Sequence, residues 1–143
     1  MGVPWEHFAH DSDIGVRGRG ASVDEAFVAA GVALTAVITA PAGVAAREAV
    51  AIACEAPALD LLLVEWLDAI IFEMATRGLL FRAYSVAVGG REGAWELRGE
   101  ARGEAIDVDR HAPTVEIKGA TFTGLRVVEE APGRWLAECV VDV

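Results

Sequence analysis

His10, Asp11 and Asp13 fall within the stretch HDSDIGVRGRG, and Asp142 lies one position before Val143 at the far end of the 143-residue chain. In an extended segment alternate side chains share a face, so Asp11 and Asp13 point the same way if the chain stays extended there. On a closing strand, Leu136, Glu138, Val140 and Asp142 share one face, and Trp135, Ala137, Cys139, Val141 and Val143 share the other. Asp142 sits between two valines, a setting that raises the cost of an unpaired charge. Clustered carboxylates repel unless a cation neutralises them. An all-oxygen donor set selects hard ions such as Ca²⁺, Mg²⁺ or Mn²⁺. Spacing alone favours a plainer reading, in which Asp13 caps a turn and Asp142 extends into solvent.

Other polar residues carry weaker signals. His10 is either a ligand or proton shuttle beside the acids, or a hydrogen-bonded structural residue. His7 and His111 stand isolated, and no Cys or His pair has zinc spacing. Lys118, in VEIKGATFTGL, is the only lysine among 12 basic residues. It is solvated by default and relevant only if it faces the acids. GVRGRGAS is neither Gly-x-Gly-x-x-Gly nor a Walker A sequence, although an anion could rest on the helix N-terminus near Ser22. Gly-x-Ser-x-Gly is absent and no triad is identifiable, so no catalytic and no cofactor-binding residue is assigned. Cys54 and Cys139 read as buried free thiols.

Charge and hydropathy bound the rest. There are 22 acidic and 12 basic residues, a net charge of −10, which argues against a basic nucleic-acid surface. With 54% hydrophobic residues the chain is expected to fold, as a single domain over residues 1–143. The N-terminal stretch MGVPWEHFAHD lacks the pattern of a signal peptide, and Glu65, Asp68 and Glu73 interrupt the most apolar stretches, so a cytoplasmic protein without a membrane span is expected.

The elements that must position the acids follow from periodicity. Residues 5–10 and 13–18 read as short strands. Ser22 and Glu25 have capping-box spacing ahead of a helix reaching about Ile38. Residues 48–55 read as a strand, and a second helix, opened by Pro57 and Asp60, runs to Arg77 with Gly78 as its stop. Everything beyond Gly78 reads as sheet, with turns at Gly89-Gly90 and Pro132-Gly133. The expected class is α+β, with a two-layer, mostly antiparallel sheet and two main helices packed on one face.

HDSDIGVRG resembles the His-x-x-Asp-Ile-Gly signature that opens the archease family. The resemblance continues through ASVDEAFVAAGVALT, LDLLLVEWLDAIIFEM, GLLF, GEAIDVDRH, VEIKGATFTGLRV and the closing DV, in order, from about residue 5 to the end. It implies an archease-like fold and a non-catalytic helper of the RtcB-type RNA ligase, which joins RNA ends using GTP and Mn²⁺ through a guanylylated histidine. The helper promotes that guanylylation and multiple turnover, in tRNA splicing or RNA repair. The resemblance maps a metal site onto Asp13, Asp142 and Val143, the last through a main-chain or terminal oxygen. Ca²⁺ is the first expectation for the ion and Mg²⁺ or Mn²⁺ the alternatives. Lys118 belongs to the implied functional surface, with His10 and Asp11 as accessory positions. The implied partner is the ligase, with RNA engaged only indirectly and neither DNA nor membrane. The chain departs from the family pattern at Asp11, where threonine is usual, and in Lys-Gly-Ala-Thr-Phe, where Gly119 and Phe122 replace alanine and tyrosine. Two rival readings are a metal-dependent phosphohydrolase using the same carboxylates and a general chaperone-like binding module.

Overall fold

A computed structural model describes residues 4–143. Met1–Val3, the start of the stretch read above as no signal peptide, lie outside the described residues. The elements in order are β1 (Trp5–His10), β2 (Asp13–Gly20), α1 (Val23–Ile38), β3 (Glu48–Ala56), α2 (Leu59–Arg77), β4 (Leu79–Arg91), β5 (Ala94–Ala105), the single turn α3 (Val108–His111), β6 (Gly119–Ala120), β7 (Arg126–Ala131) and β8 (Arg134–Asp142).

Both long helices start and stop for local reasons. Ser22 caps α1, its hydroxyl accepting from the Glu25 amide at 3.2 Å, while the Glu25 carboxylate reaches back to the Ala21 amide at 3.2 Å. Two orphan amides are thereby satisfied by the chain itself, one residue offset from the usual box. The glycines ahead of α1 are explained by packing: a Cβ at Gly18 would collide with the Ala26 carbonyl and the Ala30 amide. The α2 helix ends at Gly78, which adopts φ +64° and donates to the Met74 carbonyl, a left-handed stop that favours glycine.

Every strand pairing is antiparallel, and the class is α+β as expected. The strands are divided between two sheets. One is ordered β1-β2-β8-β6, with β7 also paired to β8, and the other is β3-β5-β4. Each long helix contacts strands of both sheets. Ala26 and Ala30 of α1 face β2, whereas Gly31 and Thr35 meet Tyr84 of β4, the last through a 2.7 Å hydroxyl pair. At about 100° per residue those two sets lie on opposite sides of the helix. The helices are therefore sandwiched between sheets, where the sequence suggested one sheet with helices on a single face. Alternation shows that a strand buries one face, but not which of two sheets it joins. The core between the layers includes Phe27, Leu34, Trp66, Phe81, Leu97 and Val16, all fully buried, and the Trp66 indole donates to the Phe27 carbonyl at 3.0 Å. Cys139 is buried, Cys54 half-buried, and both are free thiols; burial pushes them up to about 12 and about 11.

Two further expectations are corrected. Gly89 and Gly90 lie inside β4, and the hairpin closes instead between Arg91 and Ala94, with Gly93 at φ +93°. The region after β5 is not continuous sheet. Asp107 caps α3 by accepting from the Arg110 amide at 3.1 Å, and the chain then runs without regular structure to β6. This strap closes over the end of α1: the Thr114 amide donates to the Ile38 carbonyl at 2.9 Å, and its hydroxyl to the Val37 carbonyl at 3.0 Å. Carbonyls left free at the helix end thus find their donors on a distant segment.

Gly18 has no room for a side chain, and the atoms in its way are backbone. Gly18→Ala is expected to cost about 1–3 kcal/mol, read as a fall in the urea midpoint with unchanged m-value; an unchanged midpoint would show that α1 can move away from β2 without loss.

Candidate functional site

The register of β1, β2 and β8 arranges the outer face of their sheet in three cross-strand rows. Glu6 opposes Arg17, which opposes Glu138. Phe8 opposes Gly15, which opposes Val140. His10 opposes Asp13, and Asp13 lies one step beyond the Ile14–Val141 pair, beside Asp142. Directly opposed residues of an antiparallel pair share a face and have Cα atoms about 4.5–5.5 Å apart. The odd-numbered residues Asp13, Gly15 and Arg17 therefore point outward, while Ile14, Val16 and Gly18 point into the layers.

The first row is internally neutralised. Arg17 grips Glu138 with two bonds, Nε at 3.1 Å and Nη2 at 3.2 Å, and reaches Glu6 at 3.0 Å. Such bidentate charge-assisted contacts are the strong ones, and they allow Glu138 to be buried. Arg19 first, then Arg17, holds the Glu6 carboxyl below its ordinary value by hydrogen bonding. The middle row is apolar. The Phe8 ring occupies the space a Cβ at Gly15 would need, and the Arg17 guanidinium lies 4.6 Å from that ring centroid, within cation–π range.

The third row has no arginine. Asp13 is half-buried and Asp142 exposed, and among the described residues neither forms an ion pair. Asp11 occupies the β1–β2 hairpin tip at φ +51°, a left-handed conformation that a short polar residue tolerates better than a β-branched one. That accounts locally for aspartate at this position. Its carboxylate is 3.9 Å from His10 Nδ1 and points into solvent.

Lys118 enters from the other side. Its amide donates to the Asp142 carbonyl at 2.8 Å, and the next residue, Gly119, is the ladder partner of Asp142. The five sequence-predicted residues His10, Asp11, Asp13, Asp142 and Lys118 thus gather with Val143 at one end of the sheet. Among the described residues no three His, Cys, Asp or Glu side chains cluster as a metal site. Asp13 and Asp142 by themselves offer two carboxylates, a donor set of oxygen without sulfur.

Sequence reasoning did not find the buried pair that holds the strap. His111, which stands isolated in the sequence, is fully enclosed: its Nδ1 accepts from the Asp107 amide at 2.8 Å and its Nε2 donates to Glu104 at 3.0 Å. Glu104 also accepts from the Ala45 amide at 2.7 Å and pairs with Arg110 at 2.7 Å. Arg110 first, then the Ala45 amide and His111, hold the Glu104 carboxyl far below the usual carboxylate range. The only signal was the motif GEAIDVDRH, whose seven-residue separation gives no hint of contact until the chain reverses at Asp107. An apolar groove of ≈ 490 Å³ lies beneath the strap, lined in part by Ile38, Ile71, Met74, Val115 and Ile117. It contains none of the gathered acids.

The family model described as "Archease protein family (MTH1598/TM1083)" matches residues 5–143. The chain belongs to the archease family. It is 34% identical to the Protein archease of Pyrococcus abyssi over 139 residues, covering 97% of this chain and 98% of that one. It is 38% identical to the Protein archease of Methanopyrus kandleri over 141 residues, covering 99% and 100%. The solution structure of Methanobacterium thermoautotrophicum protein 1598 superposes with a TM-score of 0.86 at 26% identity, covering 99% of this chain and all of that one. The signature His10-x-x-Asp13-Ile14-Gly15 therefore has a structural meaning here: His10, Asp13 and Gly15 take outward positions in the third and middle rows, and Ile14 packs against the core.

Glu104 titrates below its ordinary value in the folded chain, so its contribution is complete above the unfolded glutamate pKa and fades as pH falls through the folded one. Glu104→Gln is expected to lower the melting temperature at pH 7, with the gap to the native chain narrowing as pH drops below the ordinary carboxylate range. A gap that stayed constant with pH would contradict the assignment.

Proposed function

We propose that this archease-family chain is a non-catalytic activator of an RtcB-type RNA ligase, acting through the carboxylates at the end of the outer sheet. The observation that carries the reading is the contrast between rows on one face. The carboxylates of the first row have arginine partners, and Asp13 and Asp142 do not. Two neighbouring anions without an ion-pair partner are unfavourable, and a divalent cation or a basic partner surface relieves that repulsion. Asp13, Asp142 and an oxygen of Val143 would hold the ion, with Ca²⁺ the first candidate and Mg²⁺ or Mn²⁺ the alternatives. When bound, it would supply positive charge for oxygen ligands of the partner or of GTP phosphates.

The chain's own residues do the rest. Asp13 and Asp142 present fixed negative charge at the end of the sheet, Lys118 adds one cation on the adjoining strap, and Arg17 is already engaged by Glu138, Glu6 and the Phe8 ring. A ligase active site that handles GTP, RNA phosphates and Mn²⁺ is rich in positive charge, and charge complementarity favours encounter with a chain of net charge −10. The helper would then accelerate guanylylation and support repeated turnover, in tRNA splicing or RNA repair, leaving RNA contact to the ligase.

The test measures guanylylation of a purified ligase at limiting GTP and Mn²⁺. Asp13→Ala and Asp142→Ala are each expected to reduce stimulation by about tenfold or more, as loss of a charged group at a buried contact does, while melting temperatures stay near that of the native chain. Full stimulation by both variants would end the proposal. Phosphate release by the chain alone, lost in Asp13→Ala, would instead favour the phosphohydrolase.

A further inference from the structure

We infer that Phe122 is the apolar anchor by which this surface docks on its partner protein, inserting into an apolar recess bordered by basic residues; the inference rests on the ligase-activator reading above. Phe122 is the most exposed large hydrophobic side chain among the described residues, at 69%. Its loop spans residues 121–125 between β6 and β7, bulging from the edge of the sheet that carries Asp13 and Asp142.

The loop is held rather than loose. The Thr121 amide and hydroxyl both donate to the Val140 carbonyl, at 3.0 and 2.8 Å, and the Val140 amide donates to the Thr123 carbonyl at 3.1 Å. Within the loop the Thr123 amide donates to the Thr121 hydroxyl at 3.1 Å, and the Leu125 amide to the Phe122 carbonyl at 3.3 Å. Gly124 turns the chain at φ +62°, its Cα side lying against the Val140 side chain. These contacts leave the aromatic ring outside the core, so burial of Phe122 contributes little to folding. Ordering a loop in advance lowers the entropy cost of binding.

Position supplies the second argument. Thr121 pairs with Val140, and Val140 and Asp142 are alternate residues on the same face of β8, about 7 Å apart along a strand. Lys118, four residues before Phe122, has its amide on the Asp142 carbonyl. The Phe122 loop and Lys118 therefore both attach to the last residues of β8, next to Asp142. Interface hot spots combine a rigid aromatic with surrounding polar groups that exclude water. The acids define the partner's complement: an apolar recess for the ring, and basic residues around it for Asp13 and Asp142.

The test titrates native chain, Phe122→Ala, Phe122→Tyr and Asp142→Ala against purified RtcB-type ligase with GTP and Mn²⁺, following guanylylation. Phe122→Ala is expected to raise the half-saturating concentration about tenfold or more, while the plateau rate, melting temperature and Mn²⁺ affinity of the isolated chain stay unchanged. Phe122→Tyr is expected to stay within about threefold of native, since the ring is retained. An unchanged half-saturating concentration for Phe122→Ala, with stimulation still lost in Asp142→Ala, overturns the anchor and leaves the activator reading standing. Absence of stimulation by the native chain overturns both.

Discussion

The register between β2 and β8 is the constraint on which the rest of the structure depends. Side chains alternate along a strand, so a slip of one residue would exchange the outward set Asp13, Gly15 and Arg17 for the inward set Ile14, Val16 and Gly18. Two contacts oppose that slip. Gly18 meets the backbone of α1 at a point where no Cβ fits, and Gly15 lies beneath the Phe8 ring. Each position demands glycine, and they fall on opposite faces. Only one register places both correctly, and that register also sets Asp13 beside Asp142 and Arg17 beside Glu138.

The paired row contributes specificity as well as binding. Glu138 is buried in the last strand, and a carboxylate there without Arg17 would carry a large desolvation penalty. A slipped register would separate the two and leave Glu138 without its partner, so the ion pair penalises the alternative as it favours the native arrangement. Cross-strand charge pairing thus protects the position of the uncompensated acids one end of the sheet away. The strap acts similarly from the opposite side. Glu104 and His111 hold its first turn, Thr114 fixes it to the end of α1, and the Lys118 amide closes it onto Asp142. Both approaches to Asp142, through β2 and through the strap, are secured by buried polar contacts remote from the acids themselves.

Much of this was legible in the sequence where a local rule applied. The first long helix starts at Val23 as Ser22 and Glu25 imply, and the second ends at Arg77 as Gly78 implies, because capping chemistry acts within a turn. The gathering of both chain ends was readable only through the family resemblance, while spacing alone anticipated that Asp142 reaches solvent. What escaped depends on contacts distant in sequence. The Gly89-Gly90 pair resembles a turn, but β4 continues through it, with Gly90 at φ +98° crowded against Ala94. Glu92 and Gly93 close the hairpin instead. The segment around Thr114 and Val115 is β-branched enough to suggest a strand, yet its donors are spent on the C-terminal carbonyls of α1. The division into two sheets follows from α1 being apolar on nearly every side, a pattern that requires a layer on each side of the helix.

The setting of the acids also bears on what kind of work they can do. A hydrolytic metal site holds and activates one water, shields the reacting group from bulk solvent and surrounds it. Here Asp142 is exposed and Asp13 half-buried at the end of the sheet, and the apolar groove beneath the strap is lined by neither. His10 faces Asp13 from a neighbouring strand at a partly exposed position. An exposed, geometrically fixed set of charges is better suited to completing a site that a second protein provides. The partner would bring the walls, and this chain would bring acids placed by register, a lysine placed by the strap, and an aromatic ring that the fold keeps out of its own core.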